Sequence, residues 1–310
     1  SRLRGYHGVT ITSGSLTGMD YAHKGFDLPR PHVIHAEAPH YFRGALPGES
    51  EEAFTGRLAD SLEHLILKEN PDTIAAMIAE PVQGAGGVII PPEKYFQAIQ
   101  PILRKYQILL IADEVICGFG RTGHWFGSEY FNIKPDLMPI AKGLSSGYLP
   151  IGGVMVSDRI ADVIIGKGKE FAHGFTYSGH PAACVVASRN LEIIEREGLV
   201  EKVRNDTGPY LRQLWEQFTE HPLVGEVRNL GLLGAIELVD DKSSRSFFKK
   251  RGKVGERCRD LCIRNGLVMR AVQDTMILSP PLVATRGHLD EIYEKASKTL
   301  NQLAEELGRC

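Results

Sequence analysis

The sequence predicts an α/β fold: a mainly parallel central sheet flanked by helices, followed by a smaller α+β C-terminal part. Three observations predict it. Short apolar runs at 74–79 and 108–112 are continuous rather than alternating, as expected of strands covered on both faces. Helical patterns separate those runs, and helix, strand, helix, strand is the order of a parallel sheet with right-handed crossovers. From Pro181 onward long helical patterns and hairpin signals replace that alternation. The expected division is therefore a large domain over 1–185 and a small one over 186–310.

The elements follow in order. Residues 5–19 read as loop and turn, with Tyr6 and His7 between glycines. Residues 20–50 carry Pro29, Pro31, Pro39 and Pro47 and read as an irregular surface segment, its histidines solvated or locally hydrogen-bonded. Phe54, Leu58, Leu62, Leu65 and Ile66 fall on one helical face, and Pro71 ends that helix. A strand at 74–79 closes on Glu80-Pro81, and the glycine-rich 83–87 follows as a loop with neither a Walker nor a dinucleotide pattern. A helix over 92–106 starts on proline. The run 108–115 is the next strand, 137–141 lies at the same sheet edge, and 152–156 is one more strand. Residues 166–180 form a loop with Lys167, Lys169, His173 and Thr176, and its basic run is a solvated surface. A long helix over 181–197 bridges the domains, 199–218 continues helical with a break or kink at Pro209, and 224–238 holds strands around Gly231 and Gly234. A helix over 257–265 stops at Gly266, a short strand follows at 276–278, and Leu289 to Leu307 pattern the last helix.

Bulk properties exclude several classes. Among 310 residues the formal net charge is -2, so no general attraction to nucleic acid or anionic membrane is expected. No apolar run approaches a membrane span, and no secretory pattern opens the chain. Five cysteines, Cys117, Cys184, Cys258, Cys262 and Cys310, form no paired framework and fit a reducing cytoplasm. Cys258 and Cys262 stand one turn apart, and ordinary helix positions explain them better than a metal does. The chain opens on Ser1 without methionine, inside a patterned segment, so an N-terminal portion is expected to be missing.

The chemistry concentrates at two strand ends. Ligands of parallel sheets sit beyond the carboxyl ends of the strands. Asp113 ends one apolar run, and Lys142 follows another and precedes Gly143-Leu144-Ser145. A lysine among apolar residues loses hydration of its charged form, its pKa falls, and the neutral amine can attack an aldehyde. A carboxylate facing it suits the ring nitrogen of an electron-sink cofactor. The plainer alternatives are a lysine paired with a buried acid and an aspartate capping the following turn. Alternation lets only one of Asp113 and Glu114 face such a site, and Val115 shares the side of Asp113.

Several segments together resemble the class III (ω) aminotransferases, fold-type I enzymes that depend on pyridoxal 5'-phosphate. They are Glu80-Pro81-Val82-Gln83-Gly84, Ala112-Asp113-Glu114-Val115, Gly118-Phe119-Gly120-Arg121-Thr122-Gly123, Ala141-Lys142-Gly143-Leu144 and Gly174-Phe175-Thr176-Tyr177-Ser178-Gly179-His180-Pro181. The resemblance implies Lys142 as the Schiff-base and proton-moving lysine, Asp113 as the partner of the pyridine nitrogen, and Val115 against one ring face. It implies Tyr6 as an aromatic beside cofactor and substrate, and Glu80 as a carboxylate on the Asp113 side. Thr176 would reach the cofactor phosphate of a neighbouring subunit, which implies a homodimer or a dimer of dimers. Arg270 would grip the carboxylate of the acidic substrate.

Two departures bear on substrate. Family members using 2-oxoglutarate often carry glutamate where Ala85 stands and glutamine where Ile116 stands. Ala85 and Ile116 resemble instead the amine:pyruvate branch, with a terminal amine such as putrescine as donor and pyruvate as acceptor. The family's Gly-Ser segment at a phosphate-binding helix start is not found before Lys142, in keeping with a missing N-terminal part. The alternatives are an aminomutase, racemase or phospho-lyase sharing the cofactor chemistry, or a non-catalytic fragment.

Overall fold

Two four-stranded sheets organise the chain, one in each of two units. The computed structural model describes residues 1–168 and 170–309; Lys169 and Cys310 lie outside the described residues. The first unit comprises Ser1–Val82, Pro91–Phe119 and His124–Gly198, and the second comprises Gln83–Ile90, Gly120–Gly123 and Leu199–Cys310.

In the first unit, β1 (Ala76–Ala79), β2 (Leu109–Ala112), β3 (Leu137–Ile140) and β4 (Gly153–Val156) lie side by side in chain order. β1, β2 and β3 are mutually parallel, as the alternating pattern predicts, while β4 runs antiparallel to β3. β2 ends at Ala112, where the apolar run gives way to acids, so Asp113 is the first residue beyond the strand. The helix Glu51–Lys68 starts where Ser50 accepts a hydrogen bond from the Ala53 amide, with Glu51 and Glu52 in its first turn and Lys68 in its last. Its buried Phe54, Leu58, Leu62 and Ile66 form the expected apolar face. The helix Tyr95–Lys105 begins later than Pro92 and buries Phe96, Ile99 and Leu103. Residues 5–19, expected as loop, contain a short helix, Ile11–Leu16. Ser13 and Ser15 supply its side-chain hydrogen bonds in place of an apolar face.

The second unit carries β5 (Val224–Leu230), β6 (Leu233–Leu238), β7 (Arg270–Val272) and β8 (Thr275–Leu278), all antiparallel, in the order β5-β6-β8-β7. β7 has no counterpart in the sequence reading: three residues are too few to show a period. Gly231, at φ 55°, turns β5 into β6, and its backbone passes so close to Arg121 that an added Cβ would lie 2.5 Å from that carbonyl oxygen. Between Val224 and Glu226 the register slips by one residue. One face of this sheet, with Val227, Ile236, Met276 and Leu278, packs into a core with Leu211 and Trp215, Leu261 and Cys262, and Leu289, Leu300 and Leu303. These come from the helices Gly208–Glu216, Lys253–Arg264 and Arg286–Glu306. The stretch 199–218 is helical without a break: Leu199–Lys202 widens into a looser turn at Val203–Thr207, and Pro209 lies in the first turn of Gly208–Glu216. Gly266, at φ 74°, follows the 253–264 helix as a left-handed stop. Among the described residues no helix is long and apolar enough to cross a membrane.

Candidate active site

Beyond the carboxyl ends of β1, β2 and β3 lies an open cleft of about 100 Å³, lined by Tyr6, His7, Gly8, Glu80, Asp113, Val115, Ile116 and Lys142. β1 ends one residue before Glu80, β2 one before Asp113 and β3 two before Lys142. Parallel pairing thus brings together three side chains that are far apart in sequence.

Asp113 is anchored through its amide, which donates to the Ala79 carbonyl at 2.9 Å. Its two carboxylate oxygens divide the work. Oδ1 accepts from the Val115 amide at 3.1 Å, so the turn-capping alternative is realised. Oδ2 lies 2.7 Å from Nδ1 of His7. A carboxylate only accepts, so with Asp113 ionised Nδ1 carries the proton. Burial pushes the His7 pKa down, against the opposing pull of the hydrogen bond and charge of Asp113. The His7 amide in turn donates to Oγ1 of buried Thr17 at 2.9 Å. Glu80 holds the same segment: its Oε1 accepts from the Tyr6 amide at 2.9 Å.

Glu114 faces away from the cleft, as alternation predicts. Its carboxylate is fully buried and accepts from the Gly127 amide at 2.9 Å and from the amide and hydroxyl of Ser128, each at 2.6 Å. It caps the short helix Gly127–Tyr130 and ties the turn after β2 to that helix. Burial raises its pKa while those three hydrogen bonds oppose the rise. Only glycine fits at 127, where an added Cβ would lie 2.8 Å from Cβ of Pro81.

Lys142 is half-buried and opens a turn of 3-10 helix, Lys142–Leu144, at φ 41°. A positive φ is costly for a side chain of this size and needs support. Asn190, on the helix Pro181–Arg196, gives it: Nδ2 donates to the Gly143 carbonyl at 2.8 Å and to that of Leu144 at 3.1 Å. Desolvation lowers the Lys142 pKa, and the charges of Asp113 and Glu80 oppose it only in part.

The cleft lining does not include the remaining expected residues. Thr176 sits exposed in a turn between exposed Phe175 and Tyr177. Ala85 is buried in the second unit's 83–90 segment, and Arg270 opens β7 there with its side chain exposed. The sequence reading missed His7, Thr17 and Asn190. His7 had a signal in its place between glycines beside Tyr6; Thr17 and Asn190 had none.

An amine of depressed basicity beside a carboxylate oriented by a histidine, at the ends of parallel strands, defines a class of carbonyl-binding group-transfer site. The comparisons place the chain within it. The family model for aminotransferase class-III matches residues 2–300. A putrescine–pyruvate aminotransferase of Pseudomonas aeruginosa is 52% identical over 303 residues, covering 98% of this chain and 66% of that protein. A mitochondrial gamma aminobutyrate transaminase 1 of Solanum lycopersicum is 50% identical over 313 residues, covering 99% of this chain and 61% of that one. An omega transaminase of Pseudomonas jessenii solved in complex with PMP superposes with a TM-score of 0.97 at 46% identity, covering 99% of this chain and 68% of that one. The chain belongs to the class-III aminotransferases, whose cofactor is pyridoxal 5'-phosphate, and it has their fold. It spans less than two thirds of the length of the two curated relatives.

Proposed function

We propose that the protein is a pyridoxal-phosphate-dependent aminotransferase that moves an amino group from a terminal amine, such as putrescine, to pyruvate. The observation that carries the reading is Lys142, an amine of lowered pKa lining the same cleft as Asp113. The cleft offers an amine for the cofactor's aldehyde and a carboxylate for its ring nitrogen, so the donor set fits the group. Lys142 would hold it through Nζ, and Asp113 would face the ring nitrogen. When bound, the cofactor supplies the electron sink that lets a carbon beside the amine lose a proton.

The chain's own residues do the rest. Nζ of Lys142 accepts and returns the proton, which a lysine of ordinary basicity does poorly near neutral pH. His7 fixes the orientation of Asp113 through the hydrogen bond between Nδ1 and Oδ2. Val115 limits the cleft on the Asp113 side. Tyr6, held through its amide by Glu80, brings an aromatic ring to the same wall.

For the acceptor, Arg270 binds the carboxylate, its fork suiting bidentate pairing. Ala85 and Ile116 stand where family members that use 2-oxoglutarate often carry glutamate and glutamine, which supports pyruvate as the acceptor. Thr176, between Phe175 at 77% and Tyr177 at 79% exposure, would serve a second copy, giving a homodimer or dimer of dimers. The four described free cysteines accord with a reducing cytoplasm. A gamma-amino acid is the second donor reading, favoured by the gamma aminobutyrate relative.

The test is amino transfer by the cofactor-loaded enzyme. Alanine should form from pyruvate with putrescine as donor, at a rate well above that of glutamate formation from 2-oxoglutarate. Faster glutamate formation would refute the acceptor, and a donor panel in which gamma aminobutyrate outruns putrescine would decide for the second donor.

A further inference from the structure

Pairing across the second unit's sheet lines up two arginines. Arg228 pairs with Ala235, Ala235 with Ile277, and Ile277 with Arg270. The adjoining row is Glu226, Glu237, Thr275 and Val272. Directly paired residues share a face, and so do residues two apart along a strand. Arg228, Glu226, Glu237, Thr275 and Arg270 therefore project from one face, opposite the helices. Three strand spacings put the two arginine positions about 14 Å apart.

The segment 83–90 lies on this face. Nε of Arg228 donates to the Val88 carbonyl at 3.1 Å, and Nη2 donates to the Gly87 carbonyl at 2.8 Å and to Oε2 of Glu237 at 2.9 Å. Nη1 pairs with Glu226. Glu237 also accepts from Oγ1 of Thr275 at 2.8 Å. The segment closes on itself through reciprocal bonds between Gln83 and Ile89, both 3.0 Å. Within it Val88 is buried at φ 51°. A β-branched residue there is strained and persists only when its surroundings hold it. The guanidinium of Arg228 is that hold, and Ala85 lies three residues before Val88.

We propose that Arg228 is a positioning residue for the acceptor: by gripping the strained Gly87-Val88 turn it fixes Ala85 over the face that carries Arg270, and so sets the preference for pyruvate. This rests on the acceptor roles proposed above for Ala85 and Arg270. Only a planar fork serves two carbonyls and two carboxylates at once; a lysine ammonium cannot.

The test uses Arg228→Lys in the cofactor-loaded enzyme. Expected are a rise of about tenfold in KM for pyruvate with kcat within about twofold, an unchanged KM for the amine, and a weakened preference for pyruvate over 2-oxoglutarate. Amide hydrogen exchange over 84–89 should accelerate about tenfold while the β6 amides keep their protection. If Arg228→Lys does not fold, as circular dichroism would show, Glu237→Gln carries the same readouts. Unchanged loop exchange in a folded variant overturns the proposal, as does faster exchange with an unchanged KM for pyruvate. Failure of the site reading looks different: unsubstituted enzyme would make no alanine from pyruvate while the loop still responded to Arg228→Lys, and the acceptor role would fall with it.

Discussion

In the first unit the reactive side chains hang from strand ends; in the second the polar cluster stands on a sheet face. The difference follows from connectivity. Parallel strands need crossovers, which cover both faces of the sheet and leave the carboxyl ends free for chemistry. The antiparallel sheet of the second unit packs its helices on one face, so the other is available for Arg228, Glu237, Thr275 and Arg270. Strand ends offer few positions but converge on a point, which suits bond-making. A face offers a row of positions at fixed spacing, which suits recognition of an extended group.

Substitutions can break or sharpen that contrast. The largest effect is expected at a strand end. Lys142→Ala should lower alanine formation by on the order of a thousandfold or more, with the melting temperature nearly unchanged. A fall of less than about tenfold would remove Lys142 from the chemistry. Next is the core beneath the second sheet. Trp215→Ala empties a fully buried site and should cost about 3–5 kcal/mol in denaturant unfolding.

Glu114→Gln should cost about 1–3 kcal/mol, because an amide NH₂ would face one of the donors that the carboxylate now satisfies. Activity loss in step with that destabilisation would make Glu114 a brace for the turn carrying Asp113. Loss of activity without destabilisation would place it in the chemistry. The smallest effect is on titration. Folded Lys142 holds its proton less tightly than an unfolded lysine, so between the lowered value and the ordinary one the unfolded chain binds more protons. Cofactor-free protein should gain stability with rising pH across that window, and Lys142→Met should flatten the gain. An acylating reagent should also modify Lys142 at lower pH than exposed lysines, read by peptide mass mapping.

How much was legible in the sequence follows the same division. Runs covered on both faces announce themselves, so β1, β2 and β3 were readable and with them the places of Glu80, Asp113 and Lys142. The direction of β4 was not, because an apolar run carries no sign. The bond between His7 and Asp113 spans 106 residues, and no local pattern encodes it. The support from Asn190 is a single polar residue on a helix whose period reports only its apolar side. In the second unit strands around Gly231 and Gly234 were visible, but β7 was too short to see. The cluster around Arg228 was invisible because register, not composition, assembles it. Nor does anything in Gln83–Ile90 betray that it groups with strands more than a hundred residues downstream.

The one-residue slip between Val224 and Glu226 sets the phase of the rest of β5. Val224 pairs with Leu238 on the helix-covered face, whereas Glu226 pairs with Glu237 on the polar face. Were Gly225 instead drawn into the ladder, regular alternation from Val224 would bring Arg228 round to the side of Trp215 and turn Val227 outward. Loss of Gly225 would keep Glu226 and Arg228 on the polar face, whereas loss of Val227 would turn Arg228 over. Whether residue 225 is left out of the ladder, rather than its chemical character, decides whether a cation meets the loop or the oil.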